Sequence, residues 1–235
     1  MQAVILAAGR GTRMKELTDT VPKPMLKIHG KTLLEYKLDN LPDAIDEVVF
    51  VVGYFGEKIR ALFGDEYHGK KITYVQQDVL NGTGGALWAA KDVLKDHFIV
   101  LNGDDLYLKA DLTACIAYDW AVLVLKVDEL GSTANVALRE DGMIKEIVEK
   151  EKHNGGPGLS NPGAYVLDRR IFEYELVKRP KSEEYGLPQT IMEAANDIPI
   201  HPVEGTSVLI MTAPEDLPKA EGWLVENGMV EGAGK

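Results

Sequence analysis

The sequence predicts an α/β fold on a mostly parallel sheet. Short, continuous, β-branched-rich apolar runs alternate with segments of helical periodicity, and three of the four strongest runs end in Gly or Gly-Asp. Continuous apolarity marks strands covered on both faces. Strand–helix alternation implies right-handed βαβ units, whose ligands sit at the carboxyl ends of the strands.

The four runs are residues 3–6, 48–52, 98–101 and 120–125. Between them, Leu33, Leu34, Lys37, Leu38 and Leu41 share one helical face, and residues 58–63 and 86–94 give two further helices. The second half is more mixed. Residues 136–138, 144–148, 165–167 and 208–211 read as strands, and 188–195 and 214–225 as helices. The Gly-rich stretch 151–162 is a loop, and the tail 231–235 is expected to fray. No interdomain linker or internal repeat interrupts residues 1–235, so a single domain is expected.

Composition narrows the function. With 45% hydrophobic and 27% charged residues, disordered and low-complexity classes are excluded. The single cysteine, Cys115, excludes an intramolecular disulfide framework and multi-cysteine metal sites, and reads as a small core residue. The five histidines do not fall at metal-ligand spacing on one element. No apolar run reaches the length of a membrane span, and the start lacks the basic region of a signal peptide, so a cytoplasmic protein is expected. The net charge of −11 argues against nucleic-acid and anionic-membrane partners. The first 31 residues run the other way, with Arg10, Arg13, Lys15, Lys23, Lys27 and Lys31 against Glu16 and Asp19. Such a cluster fits either a small anionic ligand or a solvated loop. The sequence does not fix the oligomeric state, and a homo-oligomer is compatible with it.

The strongest motif is Leu6-Ala7-Ala8-Gly9-Arg10-Gly11-Thr12-Arg13-Met14, followed by Pro22-Lys23-Pro24-Met25-Leu26. It is a strand running into a glycine turn. Small residues let backbone N–H groups approach phosphate oxygens, and Arg13 adds a planar fork suited to them. It is neither a Walker loop, which needs a Gly-Lys-Ser/Thr ending, nor the dinucleotide fingerprint, whose third small residue is replaced by Met14. No G-x-S-x-G elbow is present.

These two segments, with Gly30-Lys31-Thr32-Leu33-Leu34-Glu35-Tyr36, closely resemble the sugar-1-phosphate nucleotidylyltransferases. The resemblance covers nearly the whole chain and is strongest over residues 1–105. It implies a Rossmann-like three-layer αβα nucleotidyltransferase fold with a mostly parallel mixed central sheet. It also divides the domain into a nucleotide-binding part, 1–105, and a sugar-phosphate-binding part, 106–235. Leu6, Ala7, Ala8, Gly9, Gly11, Thr12 and Arg13 would grip a nucleoside triphosphate, and Lys23 would meet the reacting phosphates of both substrates. Gln77, with Gly82-Thr83 five residues on, resembles the base-reading segment. An amide can donate and accept, so it can read a pyrimidine edge, and Gly82 would let the base lie against the backbone. Asn102-Gly103-Asp104-Asp105 resembles the metal motif. Asp104 would hold Mg2+, and Asp105 would contact ribose or sugar. Asn135, Glu149, Lys150 and Asn161 would bind the sugar phosphate, Asn135 standing where relatives carry glycine.

The resemblance implies transfer of a nucleotidyl group from UTP or dTTP to a sugar 1-phosphate, with Arg13, Lys23 and Asp104 as the catalytic set. The acceptor phosphate, with a second pKa of about 6, is mostly dianionic at neutral pH and needs no general base. One departure stands out. Relatives supply a second acidic or amide metal ligand just before the last helix, and here Ile210 and Thr212 occupy that region. Asp216 and Asp105 are the candidate substitutes. Two other readings stay open: a cytidylyltransferase acting on phosphocholine or a similar alcohol, with Trp88, Tyr107 and Tyr165 as candidates for an aromatic cage, and a catalytically impaired regulatory protein.

Overall fold

Strand β1 (Gln2–Ala7) lies between two parallel neighbours, β4 (Glu47–Val52) and β7 (His97–Asn102). The computed structural model that shows this describes residues 1–131, 133–148 and 155–231. Between β1 and β4 the chain makes a small hairpin of β2 (Lys27–Ile28) and β3 (Lys31–Thr32), then helix α1 (Leu33–Asp39). Helix α1 starts at a capping box. Thr32 Oγ1 accepts from the Glu35 N–H, and Glu35 Oε2 accepts from the Thr32 N–H at 2.7 Å, satisfying two otherwise orphan donors. Helix α2 (Gly56–Phe63), β5 (Glu66–Tyr67), β6 (Lys70–Gln76) and helix α3 (Gly82–Ala89) lead to β7. Then come β8 (Leu106–Tyr107), helix α4 (Lys109–Cys115) and β9 (Ala121–Val127). The second half adds β10 (Asn135–Leu138), β11 (Ile144–Val148), β12 (Gly158–Ser160), β13 (Ala164–Asp168), helix α5 (Leu187–Glu193), β14 (His201–Glu204), β15 (Val208–Leu209) and helix α6 (Leu217–Glu226).

Among the described residues, eleven of these strands form one mixed sheet in the order β11-β10-β12-β9-β13-β7-β1-β4-β6-β5, with β14 on β9. The contiguous parallel block is β7-β1-β4-β6, and three of the four continuous apolar runs, β1, β4 and β7, fall in it; the fourth, β9, pairs antiparallel with β12 and β13. Beyond β7 the pairing turns antiparallel, apart from β14 on β9. The sheet therefore runs unbroken from the first half of the chain into the second.

The expected three layers are present. Val4, Val49, Val51, Phe98 and Val100 face α3 and α5 through Leu87, Leu187 and Ile191. The alternate residues Ala3, Ile5, Val48, Phe50 and Ile99 face α1, α2 and α4 through Leu34, Leu38, Ile59, Phe63 and Leu112. Each fully buried branched side chain contributes about 1.5–3 kcal/mol. A third cluster, of Met14, Leu33, Tyr36, Leu106, Met211 and Trp223, packs the N-terminal motif against α6.

Two expected elements are shorter or differently placed than the sequence pattern predicts. The strand expected over 208–211 stops at Leu209, because β8 pairs with only Val208 and Leu209. Residues Ile210, Met211 and Thr212 instead line a cleft. Helix α3 begins at Gly82, four residues before the apolar run that signals it, because the Gly-Thr-Gly-Gly segment is itself helical. No helix among the described residues is long and apolar enough to cross a membrane.

Candidate active site

Sheet register assembles the site. Leu6 pairs with Asn102, Ala7 with Val52, and Val52 with Gln76. The glycine turn after β1, the Asn102–Asp105 corner after β7 and Gln77 after β6 therefore emerge side by side at one sheet edge. Because β13 is antiparallel to β7, its entry, Asn161–Gly163, reaches the same edge. This edge opens into a cleft of about 1040 Å3.

Leu6, Ala7, Ala8, Gly9, Gly11, Thr12, Arg13, Lys23, Gln77, Gly82, Thr83, Asp104, Asp105 and Asn161 all line that cleft. The glycine turn is held by its neighbours: Tyr54 N–H donates to Ala8 O, and Gly103 N–H donates to Leu6 O. Among the described residues, no protein acceptor takes the backbone N–H groups of Gly9, Arg10 or Gly11, which fits an anion-binding nest. Gly11 adopts φ 64° and ψ 32°, and a Cβ there would lie 2.8 Å from Lys23 Cβ. The two halves of the N-terminal motif thus pack directly on each other, and glycine is required at the contact.

Lys23 is 5% exposed, and its ammonium meets Asp104 Oδ2 at 2.6 Å and the Met211 carbonyl. The Asp104 side chain retains 34% exposure towards the cleft. Exposed Arg13 has no acidic partner within salt-bridge distance among the described residues. The site thus presents two cations paired with carboxylates, Lys23 with Asp104 and Arg179 with Glu184, two cations, Arg10 and Arg13, with no acidic partner among the described residues, and free backbone donors.

Asp105 behaves differently from Asp104. It is 6% exposed, and its carboxylate accepts from Asn102 Nδ2 at 3.1 Å and Met211 N–H at 3.3 Å. Burial, with the nearby Asp104 charge, pushes its pKa up to about 7. It lies beneath the corner, where it braces the loop. Lys37, in α1, is fully buried with it, and burial lowers the ammonium pKa to about 8.

Gln77 Nε2 donates to Asn81 Oδ1 at 3.0 Å and to Gly82 O at 3.2 Å. Gly82 has φ 97°, and any Cβ would collide with the Tyr185 backbone. Its glycine requirement thus comes from this docked chain segment, whereas the sequence reading assigned it to a base. Thr83 Oγ1 accepts from Leu187 N–H and ties α3 to α5. Asn161 donates to Tyr165 OH at 2.9 Å and accepts from Gly163 N–H, so it shapes the turn into β13.

Asn135 is not brought to the cleft. Its Oδ1 accepts from Leu159 N–H, because pairing of β10 with β12 turns the side chain onto the neighbouring strand. Thr133 and Ala134, just before it, line the cleft instead. Glu149 and Lys150 lie outside the described residues. Asp216 does not line the cleft either. Its Oδ2 accepts from Thr212 and Ala213 N–H groups at the start of α6. Among the described residues no cluster of three or more acidic, histidine or cysteine side chains could hold a metal. Four carboxylates line the cleft, Asp78, Asp104, Asp105 and Glu184; of these Asp105 is braced by Asn102 and Met211, and Glu184 pairs with Arg179.

Sequence reasoning missed Arg179 and Glu184, which line the cleft from a turn whose Lys178 and Tyr185 form a β-bridge. The Lys-Arg-Pro-Lys-Ser-Glu-Glu segment has the composition of a solvated loop and carries no signal in one sequence. Lys37 did carry a signal: it is a charge on the apolar face of α1.

Comparison with known proteins follows the same outline. The family model described as Nucleotidyl transferase matches residues 2–199. The bifunctional protein GlmU of Methanocaldococcus jannaschii is 37% identical over 79% of this chain, which spans 44% of that protein's length. The UTP–glucose-1-phosphate uridylyltransferase AglF of Haloferax volcanii is 34% identical, over 96% of this chain and 97% of its own. Among solved structures, HddC from Yersinia pseudotuberculosis superposes with TM-score 0.72 at 25% identity, over 95% of this chain and 99% of that one. A UDP-glucose pyrophosphorylase complexed with UDP-glucose shares the fold, with TM-score 0.81 at 22% identity, over 96% of this chain and 98% of that one.

Proposed function

This chain belongs to the nucleotidyl transferase family, and we propose that it transfers a nucleotidyl group from UTP or dTTP to a sugar 1-phosphate, releasing pyrophosphate. The observation that carries the proposal is the convergence of Lys23, Asp104 and the glycine turn at the edge where β1 and β7 end. The sugar 1-phosphate acceptor is also favoured by AglF, whose name specifies UTP and glucose 1-phosphate and whose full length this chain matches.

The chemistry needs two anions aligned and their charge dispersed. The acceptor phosphate attacks the α-phosphorus in line, and the bond to pyrophosphate breaks. Arg13 and the free amides of the turn hold the leaving pyrophosphate. Lys23 stabilises the α-phosphoryl group and the incoming phosphate, exchanging Asp104 for substrate oxygens. Asp104 then becomes available to Mg2+, which would offset repulsion between the phosphates. A single carboxylate suits this ion, which commonly leaves most of its coordination to water and phosphate oxygens. Asn161 and Tyr165 border the space for the sugar.

Gln77 supports the choice of base. Both acceptors around its nitrogen are protein groups, so the amide is fixed with its oxygen available to accept. Uracil and thymine offer an imino N–H to such an acceptor, as does guanine. Cytosine and adenine offer a lone pair there. This argues against the cytidylyltransferase reading, as does the disposition of its cage candidates. Trp88 packs edge-on against Phe172, and Tyr107 is buried with its hydroxyl on Pro162 and Gly163 carbonyls, leaving Tyr165 at the cleft.

The test is a pyrophosphate-release panel of each nucleoside triphosphate against several sugar 1-phosphates and phosphocholine, with and without Mg2+. Release that needs UTP or dTTP, a sugar 1-phosphate and the metal together supports the proposal. Release with CTP and phosphocholine alone selects the other enzyme, and nucleotide binding without release selects the regulatory reading.

A further inference from the structure

We infer that Lys37 is a positioning residue that clamps the Asn102–Asp105 corner and so presents Asp104 to the metal–nucleotide complex. The inference rests on the nucleotidyl-transfer reading and adds to it a residue outside the motifs. Lys37 is 1% exposed and sits on the apolar face of α1, among Leu33, Leu34 and Leu38. A methylene chain ending in a methyl group would pack there. An ammonium in such a place is strongly destabilising unless it is paired and hydrogen-bonded.

Its partners show what it is bonded to. Nζ donates to the carbonyl of Asn102 at 2.6 Å and to the carbonyl of Asp105. These two carbonyls bracket Gly103 and Asp104. The ammonium also lies 4.8 Å from the centre of the Tyr107 ring, and the Asp105 carboxylate supplies the nearby negative charge. The other side of the corner is fixed as well. Gly103 N–H donates to Leu6 O, and a Cβ on Gly103 would come within 2.6 Å of that same oxygen. The corner is therefore held between a carbonyl of β1 and an ammonium of α1. Asp104 is left as the side chain that projects outwards, onto Lys23.

The clamp extends to the last segment of the cleft. Asp105 accepts from Met211 N–H, and the Met211 carbonyl accepts from Lys23. No acidic side chain stands at Ile210, Met211 or Thr212, so that segment gives Asp104 no second carboxylate to share the ion. A rigid corner meets that need.

The experiment uses the full chain and titrates Mn2+ by electron paramagnetic resonance, with and without the non-hydrolysable α,β-imido analogue of UTP. Lys37→Met removes the charge and keeps the stem. The double variant Lys37→Met/Asp105→Asn also removes the anion left uncompensated, so a folded clampless protein is obtained even where the single variant is too unstable. Thermal denaturation establishes folding. The expected result is a rise of about tenfold or more in the Mn2+ concentration needed for half-saturation in the presence of the analogue, while metal-free affinity for the analogue changes less than threefold. Folded variants that titrate like wild type overturn the clamp. So does a parallel loss of metal-free nucleotide affinity, which marks a general structural role. A wild-type protein that takes up no Mn2+ with the analogue and releases no pyrophosphate removes the parent reading itself, a result distinct from either.

Discussion

Lys23 and Asp104 stand 81 residues apart in the chain, yet the Lys23 ammonium lies 2.6 Å from the Asp104 carboxylate inside the cleft. The pair joins the N-terminal motif to the corner after β7. It holds the cation and the carboxylate that an anionic substrate and its metal would separate.

Lys23→Ala and Arg13→Ala should each lower turnover by about 10²–10³-fold, the range expected when one preorganised electrostatic contact is removed from a reacting centre. Circular dichroism should show both variants folded. Near-wild-type rates in both would reject the roles assigned to them.

Gly9 and Gly11 should respond differently to alanine. A Cβ on Gly9 meets nothing within 4 Å, so Gly9→Ala should keep the melting temperature and weaken only triphosphate binding. Gly11 sits at φ 64° against Lys23, so Gly11→Ala should lose both binding and at least about 1–2 kcal/mol of stability. Calorimetry with nucleotide titration separates the two, and equal melting temperatures would contradict the packing described.

Much of this site was legible because its chemistry is local in sequence. The glycine turn and the Asn-Gly-Asp-Asp corner are contiguous stretches at the ends of strands whose continuous apolarity is unmistakable, and the Pro-Lys-Pro segment is contiguous in its own turn. What the sequence hid depends on pairing. Strand β6 reads Lys-Lys-Ile-Thr-Tyr-Val-Gln, too polar for a buried strand, because its outer neighbour is only the two-residue β5. Asn135 sits one residue beyond the cleft-lining pair Thr133 and Ala134, and only strand pairing decides where its side chain turns. Arg179 reaches the cleft because the Tyr185 backbone docks on Gly82, a contact between distant segments. Lys37 was visible as a charge among leucines, but its purpose needed the carbonyls it binds.

Base choice should depend on Asn81. Asn81→Ala removes one acceptor from Gln77 Nε2 and lets the amide turn over, so preference for UTP over CTP should fall about fivefold, the equivalent of one hydrogen bond of about 1 kcal/mol. Asn81→Asp keeps an acceptor and should keep the preference. Ratios of kcat/KM for the two nucleotides measure it, and an unchanged ratio in Asn81→Ala would remove Gln77 orientation as the cause.

Cys115 should be inert. It is 1% exposed, and burial, with Asp111 nearby, pushes its thiol pKa up to about 12, so almost no thiolate exists at neutral pH. A thiol reagent should label the native protein slowly and the denatured protein at its single cysteine. Rapid native labelling would contradict the packing of α4.

The most direct measurement follows the label of UTP. With the α-phosphorus labelled, a sugar 1-phosphate as acceptor and Mg2+ present, the label should appear in a nucleoside diphosphate sugar. With the γ-phosphorus labelled, it should appear in pyrophosphate, and both products should form about 10²–10³-fold more slowly in Lys23→Ala. Product that forms without the sugar phosphate, or label from the γ-phosphorus found on the sugar, would contradict nucleotidyl transfer at this cleft.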